Sequence, residues 1–146
     1  MVVGVLAGVL AYMSTMSILD ALVEYAYQEM VRIGTPPAQA RQAAELTRQI
    51  VPPSALVSGV IGGVIIYVLV GLVMAAVWER LRLPWYANGA LFGVVLVVIL
   101  SLPSLLTPPP PGVPAPPAVY SYAGTALNFA GPVLLAWFLN RSAGGV

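Results

Sequence analysis

Long apolar runs and short polar ones alternate along this chain. The apolar runs cover about residues 2–25, 54–78, 85–106 and 119–139. Each reaches the roughly 20 residues that a helix needs to cross the hydrocarbon core of a bilayer. None shows the period-two alternation of a half-buried strand, and backbone groups cannot stay unpaired in lipid. The pattern predicts an all-α fold: an integral membrane four-helix bundle, one domain over residues 1–146, with a short amphipathic helix between the first two spans.

That helix is expected over about residues 36–50, in "GTPPAQARQAAELTRQIVPP". Thr35 is a suitable N-cap, and Pro36 and Pro37 suit a first turn, where a missing N–H costs nothing. Pro52 and Pro53 are expected to stop it. Ala40, Ala43, Ala44, Thr47, Ile50 and Val51 form a thin apolar stripe, with Arg41, Gln42, Glu45, Arg48 and Gln49 around the rest. Such a helix packs on protein or lies at the membrane interface. "ERLRLP" reads as a tight turn. "TPPPPGVPAPPA", residues 107–118, has seven prolines and no charge. It reads as a stiff, polyproline-like strap, the other reading being a docking strip for an aromatic groove.

Small residues recur four apart within the spans: Gly4 and Gly8, Gly59 and Gly63, Gly89 and Gly93, and Ser54, Ser58 and Gly62. Lipid gives helices no hydrophobic push towards each other, so close backbone approach supplies the attraction. These positions are expected to pack helices, within one chain or between subunits. Similar openings, "GVLAGVL" and "GALFGVV", hint at a duplicated hairpin, but the second and fourth spans match too poorly to support it.

Composition strengthens the membrane reading. Of 146 residues, 60% are hydrophobic and 8% charged, against roughly 25% charged in soluble domains; mean hydropathy is +0.93. The net charge of +1 offers no basic field to nucleic acid. With no Cys and no His, thiolate chemistry, His-ligated metals and His base catalysis are excluded. The first run lacks a basic leader and is longer than a signal-peptide core, so a retained span is expected. Arg80, Arg82 and Arg141 fall on one side of a four-span arrangement and Arg32, Arg41 and Arg48 on the other. Trp78, Trp85 and Trp137 mark the first side; Tyr25, Tyr27, Tyr120 and Tyr122 mark the second. Two Arg in one short loop, with Arg141, favour the Trp side as cytoplasmic. Both termini of a multi-pass cell-membrane protein would then be inside.

Two constellations could carry chemistry. Counting depth puts Tyr12, Tyr67 and Asn128 near the bilayer midplane, where Pro132 frees the carbonyl of Asn128 and is expected to bend the last helix. They read as interhelical hydrogen-bond glue or as a polar waist in a solute pathway. Asp20 and Glu24 sit where the first span ends. They mark the exit, meeting Arg32, Arg41 or Arg48, or they form the mouth of a cation or solute site. No catalytic set, metal site or cofactor is expected.

From Met13 to Leu81, "RIGTPPAQARQAAELTRQIVPP" followed by "SGVIGGVIIYVLVGLVMAAV" resembles a family of small four-helix bacterial membrane proteins classed as a domain of unknown function. The resemblance covers under half of the chain and does not include the proline strap. It implies the fold and no activity. The expected function is a non-enzymatic structural or accessory role, with the lipid bilayer, copies of the same chain or other membrane subunits as partners. The alternative is a small oligomeric channel or transporter using the midplane cluster.

Overall fold

The computed structural model describes residues 2–81, 83–106 and 112–143. Arg82 and most of the proline run, residues 107–111, lie outside the described residues. The described residues form five helices: α1 (Val2–Ser17), α2 (Leu19–Arg32), α3 (Pro37–Leu81), α4 (Trp85–Leu106) and α5 (Ala118–Ala143). There is no strand among the described residues. Three helices, α3, α4 and α5, are long and apolar enough to cross a membrane, and a fourth crossing is counted if α1 and α2 form one bent span.

The first span is not one straight helix to residue 25. It breaks at Ile18 with a bend of 63°. The cause is local competition for carbonyls. Ser17 Oγ donates to Ser14 O at 2.6 Å, taking the acceptor that Ile18 N–H would use in a regular helix. Ile18 N–H turns instead to Thr15 O at 3.2 Å. Thr15 Oγ1 also donates back to Ala11 O, a bond that bends helices. Further on, α2 closes in a Schellman motif. Gly34 takes φ +94°, Gly34 N–H donates to Val31 O, and Thr35 N–H donates to Met30 O.

The expected stop at Pro52 and Pro53 is also corrected. Residues 37–81 form one 45-residue helix with both prolines inside it. Two N–H donors are lost, at a typical cost of about 3 kcal/mol per interior proline. Packing on both sides carries the helix through: α1 lies along its second half, α2 along its first, and Pro52 itself is buried. Pro36, whose carbonyl accepts from Ala40 N–H, holds the cap position in place of Thr35, and Pro37 is the first helical residue. Ala40 and Ala44 of the expected stripe are fully buried, while Ile50, expected in the same stripe, is exposed.

Two helical hairpins result. In the first, α1 runs antiparallel to α3. A Cβ on Gly59 would lie 2.8 Å from Gly8 Cα, and one on Gly63 would lie 2.9 Å from Gly4 Cα, so only glycine permits this backbone approach. In the second, α4 runs antiparallel to α5. A Cβ on Gly89 would lie 2.7 Å from Val133 Cα, and one on Gly93 would lie 2.8 Å from Phe129 O. Four of these glycines thus form one seam internal to the chain and two form another. Gly62 is the exception among the expected packing glycines: nothing lies within 4 Å of where its Cβ would be. The hairpins meet more sparsely, through α5 against α1 and α3.

Candidate functional site

The two hairpins are joined at Tyr67. Its side chain is buried, and its hydroxyl lies 3.1 Å from both Leu127 O and Asn128 Oδ1. One phenolic proton serves one acceptor at a time. The Tyr67 ring occupies the space where a Cβ on Gly131 would fall, so α5 receives it only because residue 131 is glycine. Pro132 lies inside α5, which continues as one assigned helix, and its ring is fully buried beside the Gly89 seam. Tyr67 and Asn128, which depth counting put at one level, are in contact. Tyr12 does not join them. It is 37% exposed and makes no hydrogen bond to either among the described residues, so the three-member cluster is corrected to a pair.

Asp20 and Glu24 are drawn onto α3. Arg48 Nη2 donates to Asp20 Oδ1 at 2.6 Å and Arg41 Nη1 donates to Glu24 Oε2 at 3.2 Å. Arg48 also reaches Glu45 at 3.3 Å, and the Arg41 guanidinium lies 5.3 Å from the centre of the Tyr27 ring. Arg32 pairs with Glu29 of its own helix instead. The Asp20 hydrogen bond, then its charge, holds the Arg48 guanidinium above its ordinary pKa. The Asp20 side chain is 86% exposed, so these carboxylates line no enclosed mouth. No group of three or more His, Cys, Asp or Glu among the described residues could hold a metal ion.

Asn88 escaped the sequence reading. It is 1% exposed, at the start of α4, and its Nδ2 donates to Leu83 O at 3.3 Å, closing the turn that follows α3. Its signal was the "LPWYAN" spacing, an amide one turn past a helix-starting proline. At the same end the Arg141 guanidinium lies 4.3 Å from the centre of the Trp137 ring.

Open hollows follow the lines where the hairpins meet. One of about 370 Å³ lies between α1 and α5 and is lined by Leu10, Ser14, Tyr120, Ser121 and Asn128, with Pro116 of the strap beside it. A second, about 460 Å³, continues between the same helices and is lined by Leu6, Gly131, Leu134 and Phe138. Leu127 borders both. In comparisons with protein-family models, curated proteins and solved structures, nothing matches this chain.

Proposed function

We propose that this chain is a multi-pass membrane protein with a structural or accessory role, working without catalysis through the surfaces it offers to lipid and to other membrane subunits. One observation carries the reading. In the most apolar stretches of α3, α4 and α5 only 17%, 22% and 17% of residues are buried within the chain. Ile61, Ile65, Val98, Ile99 and Leu134 are each about half exposed or more. Water would not tolerate so continuous an apolar surface; lipid, or helices of another subunit, would. Cys and His are absent, and among the described residues Asp20, Glu24, Glu29 and Glu45 are each paired with an Arg. The channel reading is weakened by the loss of Tyr12 from the midplane set and by Tyr67 closing on α5.

The expected orientation places both termini and the α3–α4 turn on the cytoplasmic side, with Arg80 and Arg141 there. The α2–α3 hairpin then projects on the other side. The test is alkaline extraction of membranes followed by purification in native lipid nanodiscs. The chain is expected to stay in the membrane pellet and to emerge with copies of itself or a second subunit in fixed ratio. A monodisperse chain in plain buffer refutes membrane residence, and a lone monomer at native abundance refutes the accessory role.

A further inference from the structure

A third hollow, about 370 Å³, lies between α3 and α5. One end is shut at mid-depth: Val64 packs on Gly4 of α1, and the Tyr67 ring crosses to Gly131 of α5. The other end is open and reaches Ser142, in the last turn of α5. Between the ends the walls are Val68, Gly71, Leu72, Leu135, Phe138 and Leu139, and Val68, Leu72 and Phe138 are each more than half exposed. The two hydroxyls at its ends are already used, by Tyr67 on α5 and by Ser142 on Phe138 O. From Gly131 to Ser142 the groove follows about 17 Å of helix, against roughly 15 Å for one leaflet of a 30 Å hydrocarbon core. The open end is also where charge is left over. On the α2–α3 side, Arg32, Arg41 and Arg48 are each paired with an acid. Arg80 and Arg141, in the last turns of α3 and α5, are exposed and make no ion pair among the described residues. With Arg82, and against Glu79 alone, they give that end a net charge of +2.

We propose that this groove holds one acyl chain of an anionic phospholipid from the leaflet on the Trp side, its headgroup held by the charge of Arg80 and Arg141. The inference rests on the membrane reading above. The occupant has to enter from the open end and stop at mid-depth, as a chain of one leaflet does. A membrane-spanning helix cannot take the place, because α1 blocks its path at Val64. The volume falls in the ~300–1,000 Å³ range of ligand sites. The apolar walls select nothing about the headgroup, so selection falls to the Arg residues, and cations beside a membrane surface attract acidic lipids.

The test uses the full chain in nanodiscs of phosphatidylcholine doped with a phosphatidylglycerol carrying a photoreactive diazirine in its acyl chain. Cross-links are mapped by peptide mass spectrometry. Labelling at Val68 and Phe138 is expected to exceed severalfold that at Val73 and Leu91, which are exposed on other faces of the same half of the bundle. Gly71→Leu should abolish the excess by filling the groove floor, where a Cβ would meet only Leu135 Cδ1 at 4.0 Å. Val68→Trp, which fills the groove from an exposed position, should do so at Phe138 if Gly71→Leu fails to fold. The same probe built as phosphatidylcholine should label about fivefold less, the factor that ~1 kcal/mol for one Arg near a membrane surface corresponds to. Arg80→Gln combined with Arg141→Gln should erase that difference. Labelling no higher than at Val73 and Leu91, or an excess that survives both filling variants, overturns the lipid site while leaving membrane residence intact. Equal labelling by the two probes overturns the anionic headgroup. A chain that alkaline extraction removes from the bilayer overturns both the site and the membrane reading.

Discussion

At the scale of single residues, Tyr67 and Gly131 show how unequal two halves of one contact can be. The Tyr67 hydroxyl makes one hydrogen bond at a time to α5, and such bonds between helices in lipid average about 0.6 kcal/mol. Tyr67→Phe should therefore change stability by about that amount in a denaturant titration of the detergent-solubilised protein. Gly131→Leu drives a side chain into the Tyr67 ring and should cost about 1–3 kcal/mol, as overpacking does, and pull the hairpins apart. Equal effects would mean that the ring is not seated on α5. Tyr67 and Asn128 were legible because residue counting gives height along a helix axis. Tyr12 was not, because height says nothing about direction around the helix axis. Gly131 was missed because its value comes from a partner on another helix, and no spacing within α5 advertises it.

At the scale of elements, the seams separate glycines that look alike in sequence. Gly59, Gly62 and Gly63 are neighbours on α3, yet a 100° turn per residue sends Gly62 away from α1 while Gly59 and Gly63 meet Gly8 and Gly4. Gly59→Leu should destabilise the chain by about 1–3 kcal/mol, whereas Gly62→Leu should stay within about 0.5 kcal/mol. Thermal unfolding of the two variants in the same detergent distinguishes them. A large loss for Gly62→Leu would instead place that face against another subunit. Two element boundaries were illegible for a shared reason. Proline in the middle of a polar-to-apolar transition argues for a stop, but α1 and α2 packed along α3 outweigh it. The hydroxyls at Thr15 and Ser17 argue for nothing strong, yet their bonds to helix carbonyls break α1 from α2. The ion pairs that dock α2 are exposed, and exposed pairs contribute little. The pKa of Arg48 is raised, so its contribution is present below the ordinary Arg range and is lost only above it. Hydrogen-exchange protection of α2 should accordingly be the same at pH 7 and pH 10, and a loss of protection by pH 10 would show that another group holds the helix.

At the scale of the whole molecule, α3 sets where the bilayer would lie under the proposed membrane reading. Its outward face carries exposed Leu46, Ile50, Pro53, Val57, Ile61, Ile65, Val68 and Leu72, an unbroken helical stripe that passes Pro52 without pause. On that face the apolar surface begins two turns before the prolines, not after them. From Leu46 to Trp78 the helix is about 48 Å long at 1.5 Å per residue, while a bilayer with its headgroup zones is about 40–45 Å thick. An ordinary tilt of about 20° brings the first figure down to about 45 Å. On that reading Leu46 and Ile50 fall in the headgroup zone on one side and Trp78 on the other. The Asp20–Arg48 pair then lies at the same headgroup depth, and Glu24–Arg41 stands just outside it. Four acids and three Arg in α2 and the first half of α3 give that hairpin no net attraction to anionic lipid, so the apolar stripe must do the anchoring. Because the chain has no native cysteine, single nitroxide labels can read this directly. A label at Ile50→Cys or Leu46→Cys should relax more with oxygen, which concentrates in lipid, than with a water-soluble nickel chelate. A label at Gln42→Cys, one turn further out on the same face, should show the reverse. If all three favour the chelate, the boundary lies at Pro52 and the first half of α3 stands wholly in water.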